Sequence, residues 1–340
     1  MPGVSTLASV TAAPLLPPVD GLVWGYRFND DGRADPLDGA AAMLELERQE
    51  SWVWLHFDLI DGRARKALAN LAHIPDEARE LLLGVDDRQR METYGQVIAG
   101  VVMDFERADE LDPRRMLSWR FCMAPHAFIS ARRSPLQTMA ELHNAILSGR
   151  RFPDVLHLFN GIIHSFAGAL GAASVRMVGQ LDEVEDGLLD ERDSGDFESL
   201  GSVRRKAVQL HRQATPLRFM LHSLLAERPD WFTEDAAEDS AQVAHRVDSV
   251  CADLVALQER ARALQDELNS RQTEMTNKRL MLLSIISAVL LPPTLISGIF
   301  GMNVDGLPFT HTPFGFLCTI GVMVFSVIGL LFVLRRMKMF

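Results

Sequence analysis

Cysteine is scarce: Cys122, Cys251 and Cys318 are the only three in 340 residues. They lie too far apart for a disulfide framework or for metal-ligand spacing, and their isolation fits a reducing compartment. The chain has no Gly-rich phosphate loop, no Gly-x-Ser-x-Gly elbow and no His-Glu-x-x-His. That removes the commonest signatures of nucleotide-binding, hydrolase and metalloprotease enzymes, and no cofactor and no enzymatic activity are expected. Basic charge is also short, with 34 Lys and Arg against 45 Asp and Glu. Three of the bases and one of the acids lie beyond residue 279, so the part before it carries 31 bases and 44 acids, a net −13. Such a surface repels nucleic acid and would concentrate cations around an ion path, although acidity also serves solubility alone. Residues 1–20 contain no base and no continuous apolar run, so a disordered tail is expected there rather than a signal peptide, and the chain would enter a membrane through its final segments.

Charge is missing altogether from two stretches near the end. Leu280 to Phe300 and Phe314 to Leu334 are each 21 residues without Asp, Glu, Lys, Arg or His. At about 1.5 Å per residue, either helix crosses a hydrocarbon core of about 30 Å. Lys278 and Arg279 precede the first span and Arg335, Arg336 and Lys338 follow the second, while the connection from Gly301 to Pro313 holds only Asp305 and His311. The bias in basic residues puts both ends in the cytoplasm and the short loop outside.

Before the spans the chain reads in three parts. Over 21–150, strands are predicted at Gly21 to Phe28, Trp52 to Leu59, Gln96 to Phe105, Met116 to Met123 and Ala127 to Arg132. Helices are predicted at Leu37 to Glu50, Gly62 to Leu83 with a break near Pro75, and Pro135 to Leu147, giving an α/β domain in α/β/α layers. His56 and Asp58 face the same way on one strand, which suits either a metal pair or a hydrogen-bonded structural pair. Over 151–235 a helical hairpin is predicted. Its apolar face runs through Val155, Leu158, Phe159, Ile162, Ile163 and Phe166 and continues through Val175, Val178, Leu181, Val184 and Leu188, with an interruption at Gly195. Its tip is acidic, from Asp182 to Glu198, and His157 and His164 on one face suit packing or ligation. Proline and glycine are absent from Ala236 to Leu291, and Val243, Val247, Val250, Leu254, Leu257, Ala261, Leu264 and Leu268 form a heptad seam. A stalk over 236–279 therefore runs without a linker into the membrane part, 280–340.

The first span sorts its residues by face. Steps of three and four join Asn277, Leu280, Ser284, Ser287, Leu291, Thr294, Gly298 and Gly301 in a stripe that ends beside Asn303. Hydroxyls between apolar flanks suit a narrow wet path, but Ser and Thr also bond the i−4 carbonyl, and small residues let helices pack. Pro292 and Pro293 break the backbone ladder, which in lipid calls for neighbouring helices or water. One hairpin encloses nothing, so a path along this stripe requires a ring of copies.

Pro293-Thr294-Leu295-Ile296-Ser297-Gly298-Ile299-Phe300-Gly301-Met302-Asn303, between two carboxy-terminal spans, resembles the signature of the CorA metal-ion transporter family. Val304-Asp305-Gly306-Leu307-Pro308, Ser51 to His56 and Leu225 to Trp231 are similar to its zinc-transporter branch, ZntB. The resemblance implies a funnel-shaped homopentamer in a bacterial inner membrane, with an axial pore for divalent cations. The implied cargo is Zn2+, coupled to protons, with Mg2+, Co2+, Ni2+ and Cd2+ as alternatives. A magnesium-type channel gated by intracellular metal, or a scaffold that the hairpin merely anchors, remain the rival readings. The resemblance places Gly301, Met302 and Asn303 at the outer mouth, around a cation that keeps its water. It aligns Asn277, Leu280, Leu291 and Thr294 with pore positions and Asp266 with a metal position in the funnel between subunits. Leu280, Leu283 and Leu291 would be constrictions that exclude water.

Overall fold

The computed structural model describes residues 21–71, 73–108, 112–189, 196–302, 307–308 and 314–336, so the tail expected over 1–20 lies outside it. The chain divides into two compact units, one up to Ala263 and one from Leu264 onward.

In the first unit, β1 Leu22–Phe28, β2 Ala34–Leu37, β3 Trp52–Asp58, β4 Arg90–Tyr94, β5 Val97–Phe105, β6 Met116–Ala124 and β7 Ala127–Arg132 form one sheet. Its order is β2-β1-β3-β7-β6-β5-β4, and only β3 and β7 run parallel. Every residue from Trp52 to Phe57 is buried, as a central strand covered on both faces requires. On one face Val53, Leu55 and Phe57 pack with Leu46 of α1 Gly39–Arg48, Leu68 of α2 Gly62–Ala69 and Leu82 of α3 Asp76–Leu83. On the other, α4 Gln137–Leu147 packs beside α5 Val155–Leu189, whose Phe159 lies 5.1 Å from Phe121 and whose Phe166 lies 5.9 Å from Phe105, ring centre to ring centre. This is the expected α/β/α layering.

Two strands depart from the expectation. β2 and β4 are short edge strands with the polar sequences Ala-Asp-Pro-Leu and Arg-Met-Glu-Thr-Tyr, so they lack the apolar alternation by which the other five are read. A proline and charges are what an edge tolerates and a centre does not. Inside the sheet, Gly100 faces Phe121 across β5 and β6, and a Cβ there would sit 2.6 Å from the Phe121 ring. Asp104, buried on β5, reaches the first turn of α4, accepting from the Thr138 amide at 3.0 Å and the Thr138 hydroxyl at 2.6 Å. Leu136 at the N-cap has no side-chain acceptor to offer, so the sheet supplies the cap.

The helical hairpin is α5 and α6 Asp196–Ala226, and α7 Glu234–Phe300 follows. The turn at Gly195 lies outside the described residues, as do the tip acids Asp190, Glu191 and Asp193. Past Phe166 the buried series of α5 runs Ala167, Leu170, Ala173, Ser174, Met177, Leu181, Val184. Val175 and Val178, expected on this face, point outward, at 71% and 37% exposure. The helix holds its 3.6 period without the shift that those two residues suggest. The seam of α7 from Val243 to Ala261 is buried. Its partners there are α5 and α6 of the same chain: Ser240 donates to Asn160 at 2.9 Å, Gln258 to the Ala207 carbonyl at 3.2 Å, and Arg260 pairs with Asp182 at 2.7 Å and with Glu185.

The second unit holds the rest of α7 and α8 Gly315–Arg336. Among the described residues, three helices are long and apolar enough to cross a membrane, α5 among them. In α5, however, 61% of the most apolar stretch is buried inside the protein, against 0% in α7 and 6% in α8, so only the last two leave their apolar surface for lipid.

Replacing Asp104 with Ala leaves the Thr138 amide and hydroxyl buried without an acceptor. We expect a loss of about 2–4 kcal/mol, read as a lower unfolding midpoint of the purified chain. Asp104→Asn, which keeps an acceptor oxygen, loses less.

Candidate functional site

Within the second unit, burial sorts each span into two faces. On α7 the partly covered residues are Ile285, Ala288, Val289, Pro292, Pro293, Ile296 and Phe300. On α8 they are Gly315, Thr319, Met323, Ser326, Val327 and Leu330, with Leu334 buried. Each set follows one helical face, the pattern of two helices turned toward each other. Leu280, Ser284, Ser287, Leu291, Thr294, Gly298 and Gly301 are all exposed. At about 100° per residue, their stripe lies roughly opposite the covered face of α7.

The predicted residues are gathered as follows. Ser287, Leu291, Thr294, Gly298 and Met302 line one open groove along α7, and Leu290, Leu295 and Ile299 join them. Those three escape a stripe traced in strict steps of three and four because they form its walls. Asn277, Leu283 and Asp266 are exposed on α7. Asn303 lies outside the described residues; before it the helix closes with Gly301 donating to the Ser297 carbonyl at 2.9 Å and Met302 to Ile299 at 3.3 Å.

Both i−4 bonds weighed above are present. Ser284 donates to the Leu280 carbonyl at 2.9 Å and Thr294 to Leu290 at 2.7 Å. Each hydroxyl spends its only proton on its own helix, which leaves an oxygen that can only accept. Back-bonding and a wet path are thus compatible: a row of acceptors suits the protons of a hydrated cation. Gly298 adds a second sign. A Cβ there would meet nothing within 4 Å. Glycine inside a helix costs about 1 kcal/mol against alanine, and no atom of the described residues near Gly298 explains that cost.

The other candidates resolve into structural pairs. The buried His56 is held by Arg132, whose Nε donates to Nε2 at 3.1 Å, so the ring proton sits on Nδ1 and is donated to the Ser130 hydroxyl at 2.8 Å. Arg132 also lies 3.9 Å from Asp58. A guanidinium thus stands where a metal shared by His56 and Asp58 would be. His157 pairs with Asp154 at 2.9 Å and His164 with Arg246 at 3.1 Å, so neither imidazole is turned to a common ligand. Among the described residues no three His, Cys, Asp or Glu side chains converge on a metal-sized point.

A family model described as CorA-like Mg2+ transporter protein matches residues 49–336. The divalent cation transporter CmaX of Pseudomonas aeruginosa is 30% identical over 87% of this chain and 90% of its own. The zinc transport protein ZntB of Pectobacterium atrosepticum is 26% identical over 94% of this chain and 96% of its own. The structure of full-length CmaX superposes with a TM-score of 0.79 at 28% identity, covering 94% of this chain and 98% of that one. The CorA magnesium transporter of Methanocaldococcus jannaschii shares the fold, with a TM-score of 0.76 at 16% identity over 92% and 98% of the two chains.

The two faces of α7 predict opposite reactivity. In a Cys318→Ser background, since Cys318 is exposed, Ser287→Cys and Thr294→Cys should react with a hydrophilic thiol reagent in membranes, and Ile285→Cys and Ile296→Cys should not. A second expectation concerns pH. Burial, with Arg132 and His143 nearby, holds the pKa of His56 well below its ordinary 6.5. Folding therefore favours the neutral ring: this stability is full above about pH 6.5 and is lost below it at up to about 1.4 kcal/mol per pH unit. The Asp104 carboxyl, pushed up to about 7 by burial, contributes the opposite slope over this range, so the His56 share is read as a difference: in chemical denaturation from pH 7 to 5 the parent chain should lose more stability than His56→Gln.

Proposed function

The chain belongs to the family of CorA-like Mg2+ transporter proteins and is a divalent-cation transporter, not an enzyme; from that premise we propose a homopentamer in a bacterial inner membrane that carries Zn2+ along its axis. Both termini face the cytoplasm. The stripe from Asn277 to Gly301 of each copy turns inward, and Gly301, Met302 and Asn303 form the outer collar. The observation that carries this reading is the pair of proton-spent hydroxyls, at Ser284 and Thr294, and the unfilled Gly298, set opposite the partly covered face of α7. In hydrocarbon such a face has value only against another copy or against water.

The chemistry of the stripe suits a hydrated ion. Stripping the inner water from a small divalent cation is costly, and neutral hydroxyl, carbonyl and amide oxygens bind its water shell weakly enough to release it. Leu280, Leu283 and Leu291 close the path when they approach one another. Asp266, exposed and part of no cluster of three or more His, Cys, Asp or Glu among the described residues, would need oxygens from a neighbouring copy. Zn2+ as cargo is supported by the ZntB relatives, at 22–26% identity, and by proton coupling as implied by the resemblance, not by ligand chemistry, because the stripe offers no thiolate or imidazole.

The absence of zinc-type ligands favours one second reading, a channel for Mg2+, Co2+ or Ni2+ closed by intracellular metal. Reconstitution into liposomes separates the two. With Zn2+ as cargo, influx rises with an imposed inward proton gradient and Mg2+ influx stays near background. Mg2+ flux that ignores pH and is blocked by Mg2+ on the funnel side would overturn the zinc assignment. In either case Asn303→Ala should reduce flux to background with the oligomer intact; unchanged flux would remove the collar from the mechanism.

A further inference from the structure

The α/β domain holds a cavity of about 300 Å3 where β4 turns into β5 and β6 into β7. Its floor is apolar, with Leu46, Val97 and Ile129, and its polar lining consists of Gln49, Gln96, His73 and His126. Among the described residues no Asp, Glu, Lys or Arg lines it. The four polar side chains stand at the solvent-exposed rim, and a charged guest seated on the apolar floor beneath them would shed water without gaining a counter-charge. Amides and imidazoles both donate and accept hydrogen bonds, which suits a flat guest whose edge does the same. The volume sits at the small end of ligand pockets.

Two further features converge on this cavity. Gln49, which caps α1, has φ 55° and ψ 21°, and every other positive-φ residue described is glycine. The left-handed conformation is unfavourable for a residue with a long side chain, and such strain gathers where it serves a site. The main-chain carbonyl of Gln96 accepts from the Trp231 indole at 3.1 Å. Trp231 lies in the connection from α6 to α7, three residues before Glu234 opens α7. A wall of the cavity is therefore also the anchor for the start of that helix.

We propose that this cavity binds a small, uncharged, flat molecule, an aromatic amide or a nucleobase-like heterocycle, and that its occupancy is passed to the start of α7 through Gln96 and Trp231. The site is separate from the ion path and does not depend on which cation is carried.

The test uses the full-length chain in detergent with three probes that share one ring: benzamide, benzoate and benzylammonium. Saturation-transfer NMR titrations should show benzamide saturating, with both ions at least about tenfold weaker. Gln49→Gly should weaken benzamide roughly fivefold, as loss of one hydrogen bond would, without lowering the unfolding midpoint, because glycine relieves the left-handed cap. Benzamide should change tryptophan emission in the parent chain and not in Trp231→Phe. Equal binding of the three probes, no saturation by benzamide, unchanged affinity in Gln49→Gly, or displacement of benzamide by Zn2+ acting at His73 and His126 would each overturn the site. An emission change that survives Trp231→Phe would overturn the link to α7.

Discussion

Hydrocarbon offers no partner to a polar group, and that single constraint organises the membrane half of this protein. A backbone interrupted at Pro292 and Pro293, the stripe's three hydroxyls at Ser284, Ser287 and Thr294, and the bare Gly298 are tolerable in a spanning helix only if something other than lipid lies against them. Ser284 and Thr294 solve half of the problem by donating to their own helix, which uses their protons and leaves their oxygens. The other half finds no cover among the described residues, since both side chains lie on the exposed face of α7. The proposed assembly answers that demand: a lone hairpin would place its acceptors where nothing can donate.

The soluble half obeys the complementary rule, that a long amphipathic helix must bury its stripe against something. A seam of heptads invites a coiled coil between chains, yet from Val243 to Ala261 it is answered by α5 and α6 of the same chain. The acidic hairpin contributes to that answer, since Asp182 and Glu185 both grip Arg260. Part of the acidity that reads as a solvated helix end is thereby spent on holding α7.

What could be read from the sequence, and what could not, divides by the range of the interaction. The five inner strands, the helical hairpin and both spans follow from local periodicity, because burial on one face repeats at 2 or 3.6 residues whatever the partner. β2 and β4 were hidden because an edge strand needs no such repeat. Val175 and Val178 misled because apolar residues on an exposed face look like a change of register. The role of His56 depends on Arg132, 76 residues away, and no spacing within one strand announces it. The stripe of α7 was legible as a stripe, but the direction in which its hydroxyls donate, and the empty space at Gly298, are facts of three-dimensional structure.

The paired prolines carry a mechanical consequence. Pro292 and Pro293 withdraw the amide donors that Ala288 and Val289 would otherwise receive, so the first span is softest about two turns below Gly301, while the helix from Glu234 to Leu291 has no such weak point. A bend imposed on α7 within the span is therefore absorbed first at this joint. In the proposed pore, the collar beyond the joint would keep its shape while the path beneath it changes width.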